Sequence, residues 1–164
     1  NIQCSGNGKF SKDHSTFTID GENIIKSGVG YKSPISSFSR KQSKAELNNK
    51  TIVFKGKTLS NIKWKRDIVI SSKNKISIID QCDLNKKYQL EGFFYLSNKL
   101  ILKSKIKNKL IFSCNNKFFS FLFDKETEIK IIDKSIFTNY GQKTKSICLH
   151  YKKHNYMKLY IEQI

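Results

Sequence analysis

The chain is short of the residues that would name a simple function. Among 164 residues there is one proline, one methionine and one tryptophan. Arginine occurs only as Arg40 and Arg66, although Lys and Arg together number 31 against 13 acidic residues. No run approaches the length of about 20 apolar residues that a membrane-spanning helix needs. No basic-then-apolar signal segment opens the chain, and it begins at Asn1, so compartment cannot be read from this end. Cys4, Cys82, Cys114 and Cys148 form no Cys-x-x-Cys pair, which argues against a zinc ribbon. Their wide spacing is unlike a small stapled scaffold, so buried free thiols are expected. The three histidines, His14, His150 and His154, make no His-x-His or His-x-x-x-His pair. No segment keeps a helical period over three turns, which excludes a βαβ organisation.

What is present is alternation. In the strand-like run Thr58–Ser71, Ile62, Trp64, Arg66, Ile68 and Ile70 fall on one face, and Lys63, Lys65, Asp67 and Val69 on the other. That pattern predicts a buried face on which Arg66 needs a carboxylate or an aromatic partner, because an unpaired buried charge is costly. Further strands are expected at 15–20, 43–47, 51–55, 75–82, 88–97, 100–103, 109–114, 117–124 and 128–132. A final hairpin is expected from 144–151 and 156–164, joined by Lys152–Asn155. Asp20-Gly21 and Ser72-Lys73-Asn74 read as turns. Residues 26–41 hold Gly28, Gly30, Pro34 and five serines and read as a long surface loop. About a dozen short strands predict an all-β antiparallel β-sandwich in one domain spanning 1–164, with residues 1–13 as its ragged start.

The formal net charge of +18 admits two readings. One is a polyanion binder, for nucleic acid, acidic glycan or anionic membrane. The other is a coding bias toward Lys, Asn and Ile, with lysines spread over solvated strand faces. The scarcity of arginine weakens a nucleic-acid site, since bidentate base contacts favour it. Phe118, Phe119, Phe121 and Phe123 could stack on RNA bases, but Phe119, Phe121 and Phe123 share one alternating face and read as core. The Lys/Tyr-rich tail Tyr151–Tyr160 is a better candidate patch, and an exposed edge strand would look the same. His150 and His154 are expected to be solvated, with Ile147, Leu149 and Tyr151 facing away from His150.

One segment stands apart. His14-Ser15-Thr16 leads into alternating residues and ends at Ile19-Asp20-Gly21. Downstream come Arg66 in Trp64–Val69, Asp80 closing Ile76–Asp80, and Tyr140-Gly141 before the last strands. This order resembles the C-terminal β-domain of heparinase II/III-like polysaccharide lyases, over roughly residues 13–164. The resemblance implies a supersandwich-like β-domain that supports a helical catalytic toroid expected upstream. It implies β-elimination on acidic, uronate-containing polysaccharide by the whole enzyme, in a bacterial periplasmic or cell-envelope setting. It makes His14 the candidate ligand of a structural zinc ion, whose partners, a His-x-His histidine and an aspartate, are expected upstream. Zinc wants about four ligands, so His14 alone does not hold it. No residue of the chain is assigned to catalysis, and Tyr31 and Arg40, in the 26–41 loop, are the substrate-side candidates. A non-catalytic acidic-polysaccharide-binding domain and a basic nucleic-acid-binding domain stand as alternatives.

Overall fold

A computed structural model describes residues 15–24, 44–58, 60–139 and 142–164, with backbone only for 136–139 and 142–143. Among these residues thirteen strands run β1 (Phe17–Ile19), β2 (Glu22–Asn23), β3 (Lys44–Asn48), β4 (Thr51–Lys57), β5 (Lys63–Ser72), β6 (Lys75–Cys82) and β7 (Gln89–Tyr95). They continue as β8 (Ile101–Ile106), β9 (Lys109–Cys114), β10 (Lys117–Phe123), β11 (Glu128–Asn139), β12 (Gln142–His154) and β13 (Tyr156–Gln163). No helix occurs among the described residues. The strands form a five-stranded sheet, β11-β12-β7-β1-β2, and an eight-stranded sheet, β3-β4-β5-β6-β13-β10-β9-β8. All the pairings are antiparallel. The expected β-sandwich is therefore what the chain forms.

Period-two patterning builds the core. Phe17, Ile19, Leu90, Phe94, Leu149 and Tyr151 face inward from the smaller sheet. Trp64, Leu110, Phe112, Phe121, Phe123, Met157 and Leu159 meet them from the larger. Full burial of one such side chain contributes about 1.5–3 kcal/mol. Phe121 and Phe123 are thus core residues, while Phe118 is exposed. Turn chemistry closes the hairpins. Asp20 and Gly21 both take positive φ, +49° and +78°, which a tight two-residue hairpin between β1 and β2 requires. Asn115 and Asn116 do the same between β9 and β10.

Three expectations are corrected. Ile70 lies at the hairpin end of β5, beside a register shift, and is 41% exposed rather than buried. The strand expected over 128–132 runs to Asn139, pairing along β12 through mostly polar residues that give no alternating signal. The last two strands are not a hairpin: β12 belongs to the five-stranded sheet and β13 to the eight-stranded one. Asn155, at φ +54°, turns the chain from one sheet to the other. Its side-chain amide donates to the carbonyls of Asp83 (2.9 Å) and Lys86 (2.5 Å) and accepts from the Tyr88 amide (2.8 Å).

Candidate functional site

Arg66 is the hub between the sheets. Its position on the inward face of β5 puts a guanidinium into the core, where the side chain is only 11% exposed. Register places Asp80 of β6 directly opposite. Nε donates to Asp80 Oδ1 at 2.5 Å and Nη2 to Oδ2 at 2.7 Å, a bidentate charge-assisted pair. The guanidinium also lies over the rings of Phe17 (5.2 Å) and Phe94 (5.4 Å) from the opposite sheet. Tyr151 of β12 donates its hydroxyl to Asp80 Oδ2. Nη1 donates to the carbonyl of Ser15 at 2.6 Å, just before β1. Burial works against the Arg66 charge, but Asp80 outweighs it and holds the guanidinium protonated. Burial first, and then the charge of Asp80, push the Tyr151 phenol well above its ordinary range.

Gly92 makes room for this arrangement. On β7 it sits opposite Phe17 on one side and Tyr151 on the other. A Cβ there would overlap the Tyr151 ring. The Arg66–Asp80–Tyr151 group is closed to solvent and its members are engaged with one another. It can tie four strands and the entry to β1 together, but it presents no group to a substrate.

A second constellation lies on the outward face of the five-stranded sheet. His150 Nε2 meets Glu91 Oε1 at 2.6 Å, and Lys152 Nζ meets the same oxygen at 3.2 Å. Phe93 stacks on the His150 ring with centroids 4.9 Å apart. Burial tends to raise the Glu91 pKa, but the hydrogen bonds from His150 and Lys152 more than offset it, and the carboxyl sits below its ordinary range. His150 is 9% exposed, so the expected solvated side chain is corrected. The expectation that Ile147, Leu149 and Tyr151 face away from it holds. The buried partner was not readable in sequence, because Glu91 and Phe93 reach His150 only through the β7–β12 pairing. His154, next to the inter-sheet turn, is exposed.

The candidates named from sequence fall elsewhere. His14, Tyr31, Arg40 and the Tyr140-Gly141 pair lie outside the described residues, as does Cys4. Cys82 and Cys148 are buried free thiols and Cys114 is a free, half-buried one. No group of three His, Cys, Asp or Glu among the described residues could hold a metal ion. The residues described thus do not make a zinc site. No helix among them is long and apolar enough to cross a membrane.

Comparison with known proteins follows the architecture. No protein-family model matches the chain, and no curated protein matches it significantly. Solved structures do. A heparan sulfate lyase, HepC, from Pedobacter heparinus superposes with a TM-score of 0.67 at 15% identity. A heparinase III, the BT4657 gene product, gives 0.68 at 12%. Another heparinase III structure gives 0.66 at 17%. Each match covers 93% of this chain and 24% of the other, so the chain spans about a quarter of the length of the lyases it resembles. At such identities the likeness is one of fold: the chain folds like a quarter-length portion of heparinase III-type lyases.

Proposed function

We propose that the chain is the β-sandwich domain of a heparinase II/III-like polysaccharide lyase and supports β-elimination on acidic polysaccharide in the full-length enzyme. The observation that carries this reading is the superposition of 93% of the chain on heparan sulfate lyases. The order of His14-Ser15-Thr16, Asp20-Gly21, Arg66 and Asp80 along the chain adds to it, and Arg66 and Asp80 meet as one buried pair.

β-Elimination beside a uronic acid needs the sugar carboxylate neutralised, a base for the adjacent proton and an acid for the leaving oxygen. Arg66, Asp80 and Tyr151 are sealed between the sheets and cannot reach a sugar. In this reading the chain's own residues hold a rigid sandwich, and an upstream helical toroid brings the proton-transfer groups. His14 would join upstream partners at a structural zinc, Tyr31 and Arg40 would face the substrate, and the enzyme would work in the bacterial cell envelope. We expect the 164-residue chain alone to leave heparin, heparan sulfate and alginate uncut. The full-length gene product should raise the ultraviolet absorbance of unsaturated uronate from at least one of them. A gene with no helical region upstream, or a full-length product silent on all three, would overturn the proposal. The net charge of +18 favours a second reading, a domain that binds acidic polysaccharide without cutting it. Retention of heparin without cleavage by the full-length protein would select it.

A further inference from the structure

The outward face of the eight-stranded sheet carries a charge arrangement that disfavours folding. Lys44, Lys55 and Lys65 stand directly opposite one another on β3, β4 and β5, and Lys57 stands opposite Lys63. Trp64 and Arg66, on either side of Lys65 along β5, point into the core, which turns these lysines outward. Like charges placed directly opposite destabilise a sheet. Among the described residues, Glu46 pairs with Lys55 at 2.6 Å and Asp67 with Lys65 at 2.7 Å. Lys44, Lys57 and Lys63 have no carboxylate that close among the described residues. The Glu46 carboxyl is held below its ordinary range, first by the hydrogen bond from Lys55 and then by the charges of Lys55 and Lys44.

The same row continues onto β6 and β13. Lys65 faces Gln81, and Gln81 faces Tyr156, a tyrosine 37% exposed. Neighbouring strands lie ~4.8 Å apart, so the five positions from Lys44 to Tyr156 form a track of roughly 19 Å across the strands. It begins in a lysine cluster and ends at an aromatic ring.

The geometry points to a docking track for a linear acidic polysaccharide lying across β3, β4, β5, β6 and β13. The lysines meet sulfate or carboxylate groups, Gln81 meets a hydroxyl, and the Tyr156 ring takes the apolar face of a sugar. The polymer class rests on the lyase reading; the surface rests on the register. Lysine ammoniums act as point charges without the bidentate fork that reads bases, which favours a sulfated or carboxylated glycan over a defined nucleic-acid sequence. A surface built for a ligand at the expense of fold stability is a common compromise.

The test compares two triple variants of equal charge. K44Q/K57Q/K63Q removes Lys44 from the track and the Lys57–Lys63 pair beside it, without breaking either ion pair. K99Q/K103Q/K107Q removes three exposed lysines at and after the β7–β8 connection. Heparin affinity is measured over a salt series, with circular dichroism confirming the fold. The track variant should bind heparin about tenfold or more weakly, with a log–log salt slope shallower by about three. It should also melt about 1–4 °C higher, because opposed charges are relieved. The control variant should stay within about threefold of the parent, because its lysines lie on or beside β8, three strands beyond the end of the track at β13. Equal losses in the two variants, or a parent chain that ignores heparin at low salt, would overturn the track. Duplex DNA that binds the parent more tightly than heparin at matched charge would overturn the glycan assignment. Neither outcome touches the lyase reading, which stands or falls on uronate formation by the full-length protein.

Discussion

At the scale of residues, the Arg66–Asp80 pair makes the sharpest demand on the chain. Arg66→Ala would leave Asp80, which has no solvent exposure, without its cation. The expected loss is about 3–5 kcal/mol, read from urea unfolding. Arg66→Lys should recover only part of it, because an ammonium cannot make the bidentate contact or the double ring stack. A double Arg66→Met, Asp80→Leu variant should be more stable than Arg66→Ala, since no charge is then stranded. Were it equally unstable, the pair's electrostatics would not be what holds this site. Glu91 permits a pH test of the opposite face. Its folded pKa is depressed. Its contribution is therefore present above the ordinary carboxylate value of about 4.3 and is lost as pH falls through the lower folded value. The melting-temperature gap between the parent and Glu91→Gln should be open at neutral pH and close on acidification. A gap unchanged down to strongly acid pH would mean that the ionised carboxylate contributes nothing. The need for a partner at Arg66 was legible in the sequence, since alternation fixes its face. The His150–Glu91 contact was not, because alternation gives a side chain's direction and leaves open what the neighbouring strand brings to it.

At the scale of elements, legibility followed the strength of the alternating pattern. β9 and β10 carry apolar residues on every second position, and β5 and β6 do so apart from Arg66 and Asp80; β6, β9 and β10 fall close to their expected bounds, whereas β5, expected from Thr58, begins at Lys63. β11 pairs with β12 on one side and with no other described strand, and its second half, from Asp133 on, is mostly polar, so its length could not be read. The crossing at Asn155 misled for a different reason. Two alternating runs around a four-residue polar link look like a hairpin, and only three-dimensional packing tells a hairpin from a change of sheet. Asn155 performs two tasks there, a left-handed backbone turn and three side-chain hydrogen bonds to the segment between β6 and β7. Asn155→Gly keeps the first and loses the second, whereas Asn155→Ala loses both. Each should destabilise by about 1–3 kcal/mol, with Ala the worse. If Gly restored full stability in thermal melts, the hydrogen bonds would carry none of the turn's weight.

At the scale of the whole molecule, the excess of positive charge works against compactness. Salt screens exposed charges over about 8 Å at physiological ionic strength, so the melting temperature should rise from low to physiological salt. A flat or falling dependence would show that the lysines are already locally compensated. Strand order bears on how the protein is made. β13 lies in the interior of the eight-stranded sheet, between β6 and β10, with Met157 and Leu159 fully buried. Strands β3 to β6 form one meander and β8 to β10 another, and in strand order only β13 lies between them. A ribosome that has not yet released residues 156–163 therefore holds two separate half-sheets, each with an open edge facing the other. The larger sheet cannot close until residues 156–163 are free to pair, whatever order its earlier strands appear in. A nascent or truncated chain ending before Tyr156 would display those unpaired edges to its neighbours, the geometry from which strand-to-strand aggregation begins.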